Sequence, residues 1–303
     1  MKVTPNFFIV GGPKCGTTAM VEYLRTHPDV FISEPKEPNY LADNMPKMKY
    51  VQKEEDYLNL FKHVNGEKII ADASIFYMYS KKAIENIYKL DSNAKLLVML
   101  RNPVEMAYSF HQQLLFTLDE DESNFNEALR KETLRKKGLE IPKKCREPKL
   151  LYYSEIAKYS EQLENIYKFF PRKNVHVLLF DDFKVSNKNS YVDVLSFLEL
   201  KDDGRKEFPR INDTKRAKSK FINNIVNRPP AFAVSIAKVL RKLLNKPRLG
   251  ILHSLDHRNR ETIVKPEISN ISRNNLIEAY KKDILKTEKI INRDLSAWLS
   301  IED

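Results

Sequence analysis

Glycine is scarce in this chain. Only 7 of its 303 residues are glycine, where average usage would supply about 21, which excludes collagen-like and glycine-rich linker architectures. Cysteine is almost absent too: Cys15 and Cys145 are too few for a disulfide framework or a thiolate metal cluster. Long apolar runs are missing. Leu96–Leu100, and Val175–Phe180 with His176 inside it, fall far short of the roughly 18 residues of a membrane span. No signal-peptide pattern precedes the strand-like Phe7–Val10, so the expected setting is reducing and cytoplasmic.

What is present describes a globular protein. Hydrophobic residues make up 42% of the chain, enough to build a core and against disorder. No internal repeat and no proline- or serine-rich linker divides it. The expectation is a single domain over 1–303, with a core sheet over about 6–198 and a basic loop plus C-terminal helices over about 205–303. The net charge of +11 suggests an anionic partner, and its sign alone leaves nucleic acid, anionic lipid, nucleotide and acidic polysaccharide open. Basic residues are enriched at Arg130–Lys137, Lys143–Lys149 and Arg205–Lys220. A solvated lysine-rich surface accounts for any one of these runs equally well.

Hydrophobic periodicity predicts strands at Phe7–Val10, Lys68–Ala71, Lys95–Leu100 and Val175–Phe180. Helices are predicted at Thr17–Thr26, Ser80–Leu90, Asn102–Leu115, Leu151–Phe170 and around Tyr191–Leu198. This alternation argues an α/β fold: a P-loop-like parallel sheet flanked by helices on both faces, with extra C-terminal helices. Those extras are Ala231–Leu244 and a helix from about Arg273 to Ile291. The first is basic and amphipathic, suited either to the protein core or to peripheral contact with a membrane surface.

Three of the seven glycines, Gly11, Gly12 and Gly16, fall within six residues, in Gly11-Gly12-Pro13-Lys14-Cys15-Gly16-Thr17-Thr18. A strand that enters a helix through such a turn aims backbone N–H groups and the positive end of the helix dipole at one point, a geometry suited to phosphate. A tight turn alone would explain one or two glycines but not Lys-x-Gly-Thr-Thr. Gly11 and Gly16 have the spacing of the nucleoside-triphosphate P-loop, yet Thr17 stands where its lysine belongs, and the loop's lysine, Lys14, comes three positions earlier. The strand Lys95–Leu100 ends in Arg101 rather than in an aspartate that would hold Mg²⁺. The loop therefore reads as an anion site without a metal.

Lys14-Cys15-Gly16-Thr17-Thr18 after Phe8-Ile9-Val10, followed by Arg101-Asn102-Pro103-Val104 leading to Ala107-Tyr108-Ser109-Phe110, resembles the two cofactor motifs of sulfotransferases that use 3′-phosphoadenosine 5′-phosphosulfate (PAPS). The likeness is to the bacterial and heparan sulfate glycan-type branch, and Asp294-Leu295-Ser296-Ala297-Trp298-Leu299 resembles the family's C-terminal signature. The resemblance implies that Lys14 meets the oxygen bridging the sulfuryl group and the 5′-phosphate. It further implies that Cys15, Gly16, Thr17 and Thr18 belong to the loop holding that phosphate, and that Arg101 and Ser109, eight residues apart, hold the 3′-phosphate. Lys218, in the late basic loop, stands where relatives carry arginine.

For the base that deprotonates the acceptor, the resemblance of Pro35-Lys36-Glu37-Pro38-Asn39-Tyr40-Leu41 to a glycan-type motif points to Glu37; Asp72, after the second predicted strand, is the second candidate. No histidine lies in that region, which disfavours the small-molecule branch, and Ala73 stands where some glycan enzymes carry a catalytic lysine. The implied acceptor is a hydroxyl on a saccharide or glycolipid, with no nucleic acid and no metal. Two alternatives stay open: a P-loop-type kinase, and a non-catalytic basic protein that binds nucleic acid or a membrane surface.

Overall fold

A computed structural model describes residues 3–209 and 211, strand residues 215–217 and 260–262, and residues 268–300. At its centre is a five-stranded parallel sheet. Its strands are β1 (Phe7–Gly11), β2 (Val30–Ile32), β3 (Ile69–Asp72), β4 (Lys95–Leu100) and β5 (Val175–Leu179), in the spatial order β2-β3-β1-β4-β5. The five residues of β1 are all buried, as are the last five of β4, whereas β5, at the edge, leaves His176 and Val177 only half-buried. Their near-continuous apolar character is that of strands covered on both sides. A separate antiparallel pair joins β6 (Lys215–Ala217) to β7 (Arg260–Thr262).

The helices are α1 (Thr17–Leu24), α2 (Glu54–Asn59), α3 (Lys81–Leu90), α4 (Pro103–Thr117), α5 (Phe125–Arg135), α6 (Tyr153–Ile156), α7 (Tyr159–Phe169), α8 (Phe180–Val185), α9 (Asn187–Phe197) and α10 (Asn270–Ile291). They fall into two packed groups. Tyr23 of α1 lies against Phe183 of α8, and α8 packs on α9; α3, α7, α10 and α4 form the other group. Right-handed crossovers place such groups on opposite faces of a parallel sheet.

Four strands match the predicted ones to within a residue or two, and β2 is an addition. Its three residues are too short for periodicity to register; it pairs with β3 from Val30↔Ile69 to Ile32↔Ala71. The predicted helix Leu151–Phe170 is two, because Asp283 of α10 accepts from the backbone N–H of Tyr159 (2.9 Å) and of Ser160 (3.2 Å). A carboxylate from a distant segment thereby caps α7 and starts it afresh. Lys218 and the predicted helix Ala231–Leu244 lie outside the described residues. No helix among the described residues is long and apolar enough to cross a membrane.

In this strand order the chain leaves β1 for β2 on one side and reaches β4 on the other. The carboxyl ends of β1 and β4 therefore border the crevice in which open α/β sheets bind ligands, with β3 next to β1.

Candidate active site

The glycine loop joins β1 to α1 at that crevice, and close packing beneath it explains its composition. A Cβ on Gly11 would lie 2.2 Å from the Met99 carbonyl oxygen of β4, and one on Gly16, at φ +88°, would lie 3.1 Å from Phe180 and Phe183. Cys15 points downward: it is fully buried, its Sγ lies 3.4 Å from the Pro13 carbonyl, and burial pushes its thiol up to about 12. Of Cys15, only the backbone is left to meet a ligand. Lys14, at φ 62°, is the half-buried residue between these fixed points.

Gly16 caps α1 with no side-chain hydrogen bond, and the N–H groups of Gly16, Thr17 and Thr18 donate to no acceptor among the described residues. The side chain of Thr17 is buried and that of Thr18 half-buried. These amides form an N-terminal donor set in search of an anion.

Arg101 closes the arrangement from β4. Its Nη1 donates to the Lys14 carbonyl oxygen at 3.3 Å, its guanidinium stacks on Phe180 at 4.8 Å, and Nη2 lies 3.4 Å from Glu105. The two motifs, 87 residues apart, thus meet directly. Glu105 also pairs with Arg273 of α10 at 2.7 Å, so the C-terminal helix is tied to the same cluster. Asn102 caps α4 by accepting from Val104 N–H at 3.0 Å, with Pro103 as the first helical residue. Ser109 follows on α4, 9% exposed, its hydroxyl bonded to nothing among the described residues.

Glu37 arrives by another route. Beyond β2 the segment 33–41 runs over the end of β3, where Ser33 N–H donates to Ala71 O (3.0 Å) and Glu37 N–H to Ala73 O (3.1 Å). Since β3 neighbours β1, with Asp72 beside Phe8, this segment stands next to the strand that delivers the loop. The Glu37 side chain is 31% exposed and pairs with Lys36 Nζ at 2.6 Å. Asp72 differs sharply. It is wholly buried, its Oδ1 accepts from Ser74 (2.7 Å), and its Oδ2 accepts from Tyr57 and Tyr77 (both 2.8 Å). Burial raises its carboxyl to about 6 against the pull of those three donors.

Residue patterns did not single out the supports: Phe180 and Phe183 beneath the loop, Tyr57, Ser74 and Tyr77 around Asp72, and Glu105 with Arg273. The hydroxyls of Asp72-Ala73-Ser74-Ile75-Phe76-Tyr77 are visible in sequence, but their convergence on one carboxylate is not. No cluster of three or more His, Cys, Asp or Glu side chains fit to hold a metal occurs among the described residues.

Comparison with known proteins agrees with this layout. Residues 4–228 match the sulfotransferase domain. Carbohydrate sulfotransferase 15 of Homo sapiens is 32% identical across 36% of this chain and 27% of that protein. Heparan sulfate glucosamine 3-O-sulfotransferase 5 of Mus musculus is 27% identical across 57% of this chain and 47% of its own length. The matched span thus covers roughly a quarter to a half of these relatives. The crystal structure of a sulfotransferase from Alicyclobacillus acidocaldarius superimposes with a TM-score of 0.70 at 27% identity, over 98% of this chain and all of the other. With three quarters of its length within the domain match and its sheet and glycine loop in place, this chain belongs to the sulfotransferase family.

Proposed function

We propose that the protein transfers a sulfuryl group from PAPS to a hydroxyl of a saccharide or glycolipid by direct in-line displacement, with no metal. The observation that carries the reading is the bond from Arg101 to the Lys14 carbonyl, which joins the two anion-binding motifs at one edge of the sheet. The donor set fits a doubly phosphorylated nucleotide. Lys14 with the amides of Gly16, Thr17 and Thr18 would take the 5′ side, Thr18 adding its hydroxyl, while Arg101 and the Ser109 hydroxyl would take the 3′-phosphate. Lys218 is kept as a further cofactor contact on sequence grounds alone. The saccharide acceptor is supported by the carbohydrate and heparan sulfate relatives.

The chain's own residues divide the work. The acceptor oxygen forms its bond to sulfur as the bond from sulfur to the 5′-phosphate oxygen breaks. Glu37 takes the acceptor's proton, and Lys14 offsets the charge that grows on the departing phosphate oxygen. Lys36 holds the Glu37 carboxylate in one direction. The engagement of both Asp72 oxygens and the closure of its surface support Glu37 over Asp72 as the base.

Calorimetric titration with 3′-phosphoadenosine 5′-phosphate (PAP) in excess chelator tests the donor site. Wild type is expected to bind, with Arg101→Ala roughly 10- to 100-fold weaker, as for loss of charge-assisted hydrogen bonds. Transfer from labelled PAPS is expected to fall about 10²- to 10³-fold in Lys14→Ala, and by about 10²-fold or more in Glu37→Gln with PAP affinity intact. Absence of wild-type PAP binding, or binding that needs Mg²⁺, overturns the reading.

A further inference from the structure

We infer that Asp72 is a positioning residue, which shapes the Glu37 segment through the hydroxyls of Ser74 and Tyr77. This rests on the reading of Glu37 as the base. Each of the three hydroxyls at Asp72 owns one hydrogen and spends it on the carboxylate. Their lone pairs are then left facing outward, and two of the oxygens face the segment that carries Glu37. Ser74 Oγ accepts from the Asn39 N–H at 3.1 Å, and the Tyr77 oxygen accepts from the Leu41 N–H at 3.3 Å. The residue after Asp72 completes the seam, with the Ala73 carbonyl accepting from Glu37 N–H. Tyr57, the third donor, comes from α2 and stacks on Tyr40 of the same segment with ring centroids 4.6 Å apart. Every second residue from 37 to 41 is therefore pinned to the neighbourhood of one carboxylate.

The pinning is needed because the segment would not keep this shape by itself. Glu37 and Asn39 both lie at positive φ, 62° and 52°, a region that residues with a Cβ seldom occupy and that Asn tolerates better than Glu. Asn39 adds a clamp within the loop, its Nδ2 donating to the carbonyls of Glu37 (3.0 Å) and Met48 (3.3 Å). An ionised carboxylate serves the purpose where an amide does not. An asparagine at 72 presents N–H on one side and forces the hydroxyls there to turn their hydrogens toward the very amides they now accept from.

The test compares Asp72→Asn, Ser74→Ala and Tyr77→Phe, each alone and in a Glu37→Gln background. Release of label from ³⁵S-PAPS is followed in single turnover with an unsulfated glucosamine–uronic acid polysaccharide present, either the polysaccharide or water accepting. PAP affinity by calorimetry reports folding and donor binding, and the milder Ser74 and Tyr77 variants guard against an unfolded Asp72→Asn. The expected result is a rate loss of roughly 10-fold, up to about 10²-fold, in the otherwise wild-type chain, as for a misplaced catalytic group. In the Glu37→Gln background the same substitutions should cost less than about 2-fold, because residues that act through one another are not additive. PAP affinity should stay unchanged throughout. Losses that persist undiminished beside Glu37→Gln, or that track weakened PAP binding, overturn the inference. A Glu37→Gln variant that turns over like wild type overturns the base reading instead.

Discussion

Lys14, Glu37 and Asn39 share a backbone region that L-residues seldom occupy, and all three belong to the segments that would meet donor and acceptor. Strain of this kind persists where surrounding bonds impose it, and around Asp72 those bonds also set up a pH dependence. The groups facing Asp72 are Tyr57 from α2, Ser74 and Tyr77 beyond β3, and Glu37 from the segment after β2. Burial lifts the Asp72 carboxyl from 3.8 to about 6, so between those values the folded protein holds a proton that the unfolded chain releases. Its contribution to stability is complete below the lower value and is lost as pH rises through the upper one. Turnover runs the other way, because the three hydroxyls need the ionised form. The difference in Tm between Asp72→Asn and wild type should therefore move in the variant's favour as pH is raised from about 4 to about 7, while wild-type kcat falls as pH drops through about 6. A Tm difference independent of pH would refute the assignment.

The elements around the loop are spaced by backbone contact. Gly11, at φ +144°, sits opposite Met99 in the β1–β4 ladder, and Gly12 N–H donates to the Met99 carbonyl at 3.1 Å. Alanine at position 11 has no room and must push β1 from β4 where the loop begins. Gly66 is also at positive φ, +96°, but a Cβ there meets nothing within 4 Å. Gly66→Ala should cost only the backbone term, about 1–2 kcal/mol, whereas Gly11→Ala should exceed about 3 kcal/mol, the upper range of overpacking, or fail to fold. Urea unfolding midpoints of the two variants settle the comparison. The N-cap of α4 and the borrowed cap of α7 belong to the same scale, since each places a helix start where side chains of the site depend on it.

At the scale of the molecule, part of the positive charge is paired within the fold. Within the run 130–149, Arg130 pairs with Glu127, Lys131 with Glu122, Arg135 with Glu120, Lys136 with Glu132 and Arg146 with Asp119. The Arg135–Glu120 pair is fully buried, both of its hydrogen bonds are 2.7 Å long, and Tyr153 donates to the same carboxylate. Arg135→Met would leave that carboxylate buried without its cation, and a loss of about 3–5 kcal/mol is expected. Adding Glu120→Gln should recover part of it. Denaturant titrations of single and double variants measure this, and equal losses in both would argue against the pair as the cause. The C-terminal region closes the structure on the site itself: Trp298 donates to Asp181 at 2.7 Å, its carbonyl accepts from Asn102 at 3.4 Å, and its ring lies against Tyr159.

Much of this was legible in the sequence. Gly11, Gly12 and Gly16 marked the loop because tight packing and positive φ leave few alternatives to glycine. Lys95–Leu100 declared itself a central strand because a strand covered on both faces has no polar side. Lys14, Arg101 and Glu37 could be named because charge at a strand end or in a motif is a local property. Tertiary structure alone decided that Arg101 touches Lys14, that Asp72 is sealed behind three hydroxyls while Glu37 keeps an open edge, and that Asp283 starts α7. Those outcomes depend on residues up to 124 positions apart. Whether a carboxylate works as a base or as an anchor depends on the donors and solvent around it, and only the folded chain brings these together.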